Sequence, residues 1–221
     1  MLFWFLYILA WLPIHIIAPF KVYGKRNIKR KQNYIIACNH LTYFDPLLLD
    51  FVFSKRNRYL AKQELYQKSS SRFWLGKVFG GIPIDRSKGL TPSQIKTINS
   101  VLSTKQNLGI FVDGTRKEFE ANNDIKGGAC YFAIRNKKPI IPCYIVNKQK
   151  FFRKNHILVG SPIYFEEFYD KKITKEVLSI AEQLLKEKIY ALKTEHENYL
   201  KERKIVKQLK RNKNSTPADI T

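Results

Sequence analysis

Short apolar runs alternate along the chain with stretches of helical spacing. Residues 34–38 form an apolar run that predicts a buried strand, residues 46–53 predict a helix, and residues 58–61 predict a second strand. Residues 82–84 form another short apolar strand after a pair of glycines. This alternation is typical of an α/β domain.

The clearest strand-helix-strand unit lies in the middle of the chain. Thr91 is a helix cap followed by Pro92, and apolar residues recur at helical spacing up to Leu102. Residues 108–112 then predict a strand. Further strands are predicted at residues 139–146 and 157–160, and an amphipathic helix at residues 174–192.

The N-terminal segment differs from the rest in having no charged side chain over residues 1–20. Twenty apolar residues are about the length needed to cross a hydrocarbon core of roughly 30 Å. Pro13, His15 and Pro19 interrupt this run, so a kinked, re-entrant or interfacial helix, and also a buried core helix, remain open. Residues 1–22 are therefore interpreted as a membrane-associating helix.

A basic collar follows this apolar segment. Residues 21–31 contain six Lys or Arg residues and no acid. A cleavable signal peptide is disfavoured, because no basic residue precedes the apolar run and no small-residue cleavage site follows it. By the positive-inside rule, the collar predicts that the rest of the chain lies on the cytoplasmic face of the cell membrane.

Length and charge suggest one core with an anionic partner. The 221 residues are 44% hydrophobic, which suits one domain, assigned here to residues 23–200. The formal charge of +22 predicts an anionic membrane surface, nucleic acid or a phosphorylated substrate as partner. Residues 201–213 contain seven basic side chains and one acid, and residues 201–221 are predicted to form a flexible basic tail.

The cysteines and histidines do not indicate a metal site. Cys38, Cys130 and Cys143 are odd in number and lack the spacing of a disulfide framework or a zinc site, so they are expected to be buried thiols in a reducing compartment. The four histidines do not cluster in sequence. We therefore expect no metal.

The strongest candidate chemistry is His40, which follows the first predicted strand and precedes Asp45 by five residues. On a straight helix these side chains would lie roughly 140° apart, so the chain must turn between them if they meet. Asp45 precedes Pro46, a favourable first helical residue. Its carboxylate can cap the following helix or orient the His40 imidazole, and the spacing alone leaves both open.

Three later stretches are candidates for binding a phosphate. Arg86 ends the strand after the glycine pair and can bind a phosphate or pair with Asp85. Residues 113–116 follow the strand at 108–112, and they form either a ligand-facing turn or a plain one. Residues 126–129 contain two glycines and can let a helix start approach a phosphate, or can form only a flexible turn.

Taken in order, these stretches resemble the glycerolipid acyltransferase family, most closely the 1-acyl-sn-glycerol-3-phosphate acyltransferases. The resemblance runs from about residue 23 to residue 163. Residues 39–45 are similar to the NHxSxxD block, residues 61–65 to AKxEL, residues 80–86 to GxIxxxR, residues 111–116 to FPEGTR, and residues 126–127 and 140–142 to KxG and IxP. Two departures occur, Val112 in place of proline and Asp113 in place of glutamate.

The resemblance implies a mixed central sheet flanked by helices and a direct acyl transfer without a bound cofactor. His40 would act as general base on the acceptor hydroxyl, because an imidazole can accept a proton at neutral pH, and Asp45 would orient it. The acyl donor would be acyl-CoA or acyl carrier protein thioester, and the acceptor lysophosphatidic acid. Residues implied to bind the acceptor phosphate are Lys62, Arg86, Asp113, Gly114, Thr115 and Arg116.

Three alternatives accompany this hypothesis. The acceptor could be another lysophospholipid or glycerol 3-phosphate. A basic nucleic-acid-binding protein is disfavoured, because no nucleic-acid motif is present and the uncharged residues 1–20 would have no purpose there. A catalytically silent membrane scaffold would retain membrane binding and show no turnover that depends on His40.

Overall fold

The described part of the chain contains seven strands and six helices, with three short 3-10 helices in the connections. The structure, a computed structural model, describes residues 2–85, 89–113, 125 and 127–214, with side chains up to residue 208. The strands are β1 (Phe20–Tyr23), β2 (Ile35–Cys38), β3 (Arg58–Lys62), β4 (Gly81–Ile84), β5 (Leu108–Phe111), β6 (Ile140–Ile145) and β7 (Asn155–Val159). The helices are α1 (Leu2–Ile17), α2 (Asp45–Phe53), α3 (Ser69–Ser71, continuing as a π-helix over Arg72–Val78), α4 (Pro92–Ser103), α5 (Gly128–Asn136) and α6 (Lys175–Asn214).

The strands form one mixed sheet in the order β1-β7-β6-β2-β5-β3-β4. Strands β6, β2, β5, β3 and β4 are parallel to their neighbours in this set. Strand β7 is antiparallel to β6, and β1 is parallel to β7. The carboxyl ends of the five parallel strands therefore meet along one side of the sheet, which we call the carboxyl edge. The opposite side is the amino edge.

Both faces of the sheet are covered, because alternate residues of each strand point to opposite faces. Ile35 and Ala37 of β2 belong to the core under α4, α5 and α6. Ile36 and Cys38 belong to the core that α2 covers with Leu48, Leu49 and Val52. Burial on both faces explains why β2 is an uninterrupted apolar run.

Most predicted elements are confirmed to within a few residues. The predicted cap of α4 is present, since the Thr91 hydroxyl accepts the Gln94 backbone N–H and the Gln94 side chain accepts the Thr91 N–H. Strand β1 was not predicted. Residues 20–22 were assigned to the apolar segment, but they pair with β7, so the apolar segment ends with α1.

Helix α6 is longer than predicted. The amphipathic pattern placed its end near residue 192, whereas the helix runs without interruption to Asn214. The basic stretch expected to be flexible is therefore helical as far as the structure describes it. Lysine, arginine and glutamate have high helix propensity, and residues 175–214 contain no glycine or proline.

Helix α1 has most of its apolar surface exposed. Phe3 is buried, and the Tyr7 ring stacks on Phe51 of α2 at 4.5 Å. The exposed apolar side chains are Leu2, Trp4, Phe5, Ile8, Leu9, Trp11, Leu12, Ile16 and Ile17. This exposure is inconsistent with a buried core helix. Across the described ranges, no helix combines the length and the apolar character needed to cross a membrane.

Candidate active site

His40 stands at the carboxyl edge, two residues beyond the end of β2. The preceding residue, Asn39, is fully buried and binds the β6 backbone twice. Its Oδ1 accepts the Ile145 N–H at 2.7 Å, and its Nδ2 donates to the Ile145 carbonyl at 2.9 Å. This pair of hydrogen bonds holds the end of β2 against β6 and so determines where the chain leaves the sheet toward His40.

The Asp45 carboxylate folds back onto the turn that contains His40. Its Oδ2 accepts a hydrogen bond from His40 Nδ1 at 2.8 Å and from the backbone N–H groups of Leu41 and Thr42 at 2.6 and 2.8 Å. Its Oδ1 accepts the Thr42 hydroxyl at 2.6 Å. Of the two roles left open by the spacing, the structure shows contact with His40, made possible by the turn over residues 41–44.

This arrangement leaves one nitrogen of His40 available. The Asp45 side chain is completely buried, whereas the His40 side chain is 12% exposed. A carboxylate at Nδ1 favours the tautomer in which Nδ1 carries the proton and Nε2 carries the lone pair. No group in the described ranges forms a hydrogen bond to Nε2, so that nitrogen can accept a proton from a ligand.

An aromatic stack supports the His40 ring. The Phe111 ring centroid lies 4.0 Å from that of the imidazole with 20° between the planes, and the Tyr59 ring stacks on Phe111 at 5.9 Å. Gly109 makes room for Tyr59, because a Cβ at this position would lie 2.3 Å from the Tyr59 ring. Phe111 was not predicted as a functional residue, although it opens the block at residues 111–116.

Asp113 also contacts the His40 turn. Its Oδ2 accepts the His40 backbone N–H at 3.0 Å, and its buried Oδ1 has no hydrogen-bond partner in the described ranges. Burial raises the pKa of Asp113 to about 6, and the hydrogen bond from the His40 N–H partly offsets that rise. The structure therefore brings together three of the predicted residues: His40, Asp45 and Asp113.

Val112, which stands where the family pattern has proline, adds a backbone hydrogen bond. The Val112 N–H donates to the Cys38 carbonyl at 3.0 Å, which continues the pairing of β5 with β2 beyond Phe111. Proline, the usual residue at this position in the resemblance, has no N–H to donate. Valine therefore adds a hydrogen bond beside the His40 turn.

Of the predicted phosphate-binding residues that the structure describes, Asp113 contacts the His40 turn, whereas Lys62 lies on the other side of β5 from His40. Lys62 is exposed at the end of β3, two strands away from β2, which corresponds to about 10 Å across the sheet at roughly 4.8 Å per strand. Arg86, Gly114, Thr115 and Arg116 lie outside the described residues, as does Lys126.

The cysteines are all buried and unpaired, as predicted. Burial raises the pKa of the Cys38 thiol well above its usual value, so Cys38 is uncharged although it ends the strand that leads to His40. Burial raises the pKa of Cys130 to about 12. Within the described residues, no group of three or more His, Cys, Asp or Glu side chains is arranged to hold a metal ion.

Comparison with known proteins identifies the family of this chain. Residues 19–146 match the acyltransferase family. A 1-acyl-sn-glycerol-3-phosphate acyltransferase from Bacillus subtilis is 29% identical over 181 residues, which cover 78% of this chain and 87% of the relative. A protein of the same name from Borreliella burgdorferi is 31% identical over 138 residues, which cover 62% of this chain and 54% of the relative.

A solved structure shares the fold. The crystal structure of the 1-acyl-sn-glycerophosphate (LPA) acyltransferase PlsC from Thermotoga maritima superposes with a TM-score of 0.56 at 18% sequence identity. The match covers 79% of this chain and 72% of that one. It confirms the predicted α/β fold with a mixed central sheet flanked by helices.

Proposed function

This chain belongs to the acyltransferase family and is an enzyme that transfers acyl groups, and we propose that it moves a fatty acyl group from an acyl thioester to the free hydroxyl of lysophosphatidic acid. The product would be phosphatidic acid, a precursor of phospholipids. Relatives named 1-acyl-sn-glycerol-3-phosphate acyltransferase support this acceptor. The observation that carries the proposal is the hydrogen bond between His40 and the buried Asp45, which leaves His40 Nε2 available at the carboxyl edge.

His40 acts as the general base in this mechanism. As the acceptor hydroxyl attacks the thioester carbonyl, its proton passes to Nε2. The buried Asp45 carboxylate, held by two N–H groups and the Thr42 hydroxyl, stabilises the imidazolium and keeps the ring oriented. When the tetrahedral intermediate collapses, the carbon–sulfur bond breaks and the imidazolium proton passes to the leaving thiolate, which restores the base.

The mechanism needs no covalent acyl-enzyme. The acceptor supplies the oxygen that a serine supplies in hydrolases with a catalytic triad. Cys38, the nearest thiol along the chain, is buried, and burial raises its pKa, so it is a poor nucleophile. A single direct transfer within a ternary complex follows, with the thioester and the acceptor bound together.

The acceptor phosphate is assigned to the β5–β3–β4 side of His40. Arg86 follows β4, residues 114–116 follow β5, and Lys62 ends β3, so these residues belong to strands on one side of β2. Arginine can bind a phosphate through two parallel hydrogen bonds. A carboxylate repels a phosphate, and the Asp113 carboxylate accepts the His40 backbone N–H. We therefore assign Asp113 to positioning the His40 backbone rather than to binding the phosphate.

We infer that the chain attaches to the membrane, because the proposed acceptor and product are lipids, and that it does so on the cytoplasmic face, because basic residues follow α1. The exposed apolar side of α1 and the basic residues 21–31 are suited to an anionic bilayer surface. The Phe152 N–H donates to the Ile17 carbonyl at 2.6 Å, which joins the β6–β7 loop to the end of α1. Phe151 and Phe152 are 66% and 73% exposed, and Phe151 approaches the exposed Phe44 ring beside the His40 turn. An aromatic rim therefore leads from α1 to the site.

The test is acyl transfer to labelled lysophosphatidic acid in mixed micelles, with acyl-CoA and acyl carrier protein thioester offered separately. We expect phosphatidic acid from the wild type and a loss of about 10³-fold or more in kcat for His40→Ala. His15→Ala is the control, because His15 lies in α1, where its ring has one described hydrogen bond, to the Trp11 carbonyl, and packs against Trp11, Phe20 and Phe51 rather than against the His40 turn.

Parallel reactions with glycerol 3-phosphate and with a second lysophospholipid determine the acceptor. Preference for either of these over lysophosphatidic acid would replace the proposed acceptor while leaving His40 as the base. Undiminished turnover in His40→Ala, with a wild-type thermal midpoint, would refute the mechanism. Absence of wild-type turnover with every donor and acceptor would refute the catalytic proposal.

A further inference from the structure

A concave basic groove opens beside the site on the side of β2 opposite to Lys62. It is a cavity of about 600 Å³ between the β6–β7 loop and α6. Its cationic lining residues, which define the basic groove here, are Lys148, Lys150, Arg153, Lys154 and Lys193. Glu197 is the one acid that lines it among the described residues.

The loop that carries four of these cations is held by its own hydrogen bonds. Asn155 is buried, its Oδ1 accepts the Asn147 N–H at 3.1 Å, and its Nδ2 donates to the Asn147 carbonyl at 2.6 Å. The Gln149 side chain donates to the Lys150 and Arg153 carbonyls. The cations therefore project from an ordered backbone, which lowers the entropic cost of binding an anion.

Two histidines beside the groove have lowered pKa values, caused first by burial and then by nearby positive charge. His196 lines the groove, and its Nε2 lies 2.8 Å from His156 Nδ1. Burial lowers the pKa of His156, and the positive charges of Lys21 and Lys154 lower it further. The pKa of His196 is also lowered, by burial and then by His156, while Glu197 opposes the shift. The four cations of the β6–β7 loop outnumber Glu197, so the loop side of the groove has an excess of positive charge.

The basic groove adjoins the reacting centre directly. Leu41 lines it, and Leu41 is the residue after His40 whose N–H binds Asp45. The groove extends from the end of β6, which neighbours β2 on one side, whereas the residues assigned to the acceptor phosphate follow strands on the other side. Two anionic groups can therefore approach His40 from opposite sides of β2.

We propose that the basic groove binds the phosphate groups of coenzyme A in the acyl donor, so that the thioester lies beside His40. This inference rests on the proposed acyl transfer. Coenzyme A carries a diphosphate and a separate ribose phosphate, which suit a cluster of cations. A cavity of this volume is within the range of roughly 300–1,000 Å³ usual for small ligands. Its concave shape favours a small molecule over the surface of an acidic carrier protein.

The test compares the triple variant Lys150→Gln/Arg153→Gln/Lys154→Gln with the wild type. Only side chains change, so the hydrogen bonds from Gln149 to backbone carbonyls can persist. The control is Lys96→Gln/Lys105→Gln/Lys172→Gln, which removes the same charge from exposed lysines that do not line the groove. Calorimetric binding of coenzyme A is measured first, followed by the KM of each substrate in neutral detergent micelles.

We expect the groove variant to bind coenzyme A about 10-fold more weakly, and the KM for acyl-CoA to rise by about the same factor, because charge-assisted contacts to phosphate are lost. The KM for lysophosphatidic acid and kcat should stay within about twofold of the wild type. Removing the ribose phosphate from the donor should raise its KM in the wild type and less so in the variant.

Several results would overturn the inference. A rise only in the KM for lysophosphatidic acid would assign the groove to the acceptor, and a rise only in the KM for the carrier protein thioester would assign it to that protein. Weaker binding to anionic vesicles, with an unchanged KM for acyl-CoA, would assign it to the membrane. A wild type that binds coenzyme A at the groove yet forms no phosphatidic acid would instead refute the proposed function.

Discussion

Helix α2 carries two buried carboxylates, one at the carboxyl edge of the sheet and one at the amino edge. Asp45 and Asp50 are 0% and 1% exposed and lie five residues apart. Asp45 meets a histidine at the carboxyl edge. Asp50 Oδ1 accepts the Asn57 N–H at 3.0 Å and the Asn57 side-chain amide at 2.7 Å, and it lies 3.1 Å from the Tyr59 hydroxyl. Burial raises the pKa of Asp50 to about 7.

The Asp50 network belongs to the amino edge of the sheet. Asn57 comes directly before β3, and its Oδ1 accepts a hydrogen bond from Asn107, which comes directly before β5. Asn107 in turn accepts the Tyr34 N–H just before β2. This network ties three strand starts to α2, and all of these polar groups are buried.

The difference between the two carboxylates shows that burial alone does not mark function. Both are surrounded by hydrogen-bond donors, as buried carboxylates require. Among these two carboxylates, only Asp45 has a titratable partner with an exposed side, and it lies at the carboxyl edge, where ligands generally bind in open α/β sheets. We therefore assign Asp45 to catalysis and Asp50 to stability.

The largest expected effect is on catalysis through Asp45. Asp45→Asn removes the charge that stabilises the imidazolium and favours the wrong imidazole tautomer, so kcat should fall about 10³-fold. Asp50→Asn, the same change on the same helix, should leave kcat within about twofold. Both are measured by acyl transfer, together with thermal midpoints. Equal losses of kcat in the two folded variants would refute the assignment of different roles to Asp45 and Asp50.

The second effect is on stability through Asp50. Asp50→Ala leaves the Asn57 N–H and amide buried without their acceptor, which should lower the free energy of unfolding by about 2–4 kcal/mol. Urea denaturation measures this loss, and kcat per folded molecule should be unchanged. A stability within 0.5 kcal/mol of the wild type, which is roughly the effect of a surface change, would show that water replaces the carboxylate.

The third effect is a pH dependence of stability from the same group. The pKa of Asp50 is about 7 in the folded protein, above the value near 4 that an aspartate has in the unfolded chain. The protonated carboxyl therefore contributes stability that is complete below about pH 4 and is lost as the pH rises through about 7. Between pH 6 and pH 8 this loss amounts to about 1.4 kcal/mol.

Asp50→Asn should remove that slope. Urea denaturation of wild type and variant at each pH isolates the contribution of Asp50. The lowered pKa values of His156 and His196 give the opposite slope below about pH 6.5, but both histidines are present in both proteins, so their contribution cancels. Parallel curves for the two proteins would mean that Asp50 does not titrate in this range.

The smallest effect concerns the stack that joins the two regions. The Tyr59 hydroxyl lies 3.1 Å from Asp50 Oδ1, and the Tyr59 ring stacks on Phe111, whose ring supports His40. Phe111→Leu should lower kcat about 5-fold by loosening the imidazole, with little effect on KM. Tyr59→Phe keeps the ring and is the control, and its kcat should match the wild type. A larger loss of kcat in Tyr59→Phe than in Phe111→Leu would show that the two networks are coupled.

Features that depend on neighbouring residues were predictable. The strands at β2 and β5 follow from apolar runs, and the cap of α4 follows from Thr91 and Pro92. Each of these involves residues within a few positions of one another, where backbone preferences and side-chain spacing act directly. Local spacing left two roles open for Asp45, and only the family resemblance implied its pairing with His40.

Features made by distant residues were not predictable. Asn39 binds Ile145, which is 106 positions away, and Asn107 binds Asn57 across 50 positions. The length of α6 was underestimated because composition was taken to indicate flexibility, and β1 was missed because its four residues gain strand pairing only from β7. The polar residues of the Asp50 network resemble ordinary loop residues until the fold brings them together.

Local pattern and composition were enough to predict the α/β class, the apolar N-terminal segment, the excess of positive charge and the residues of the His40 block. The folded chain was needed to show that Asp45 turns toward His40 while Asp50 closes the amino edge, that Phe111 supports the imidazole, and that loop and helix cations enclose one groove. The physical reason is that strand order and packing set distances between residues far apart in the chain, and no local preference encodes those distances.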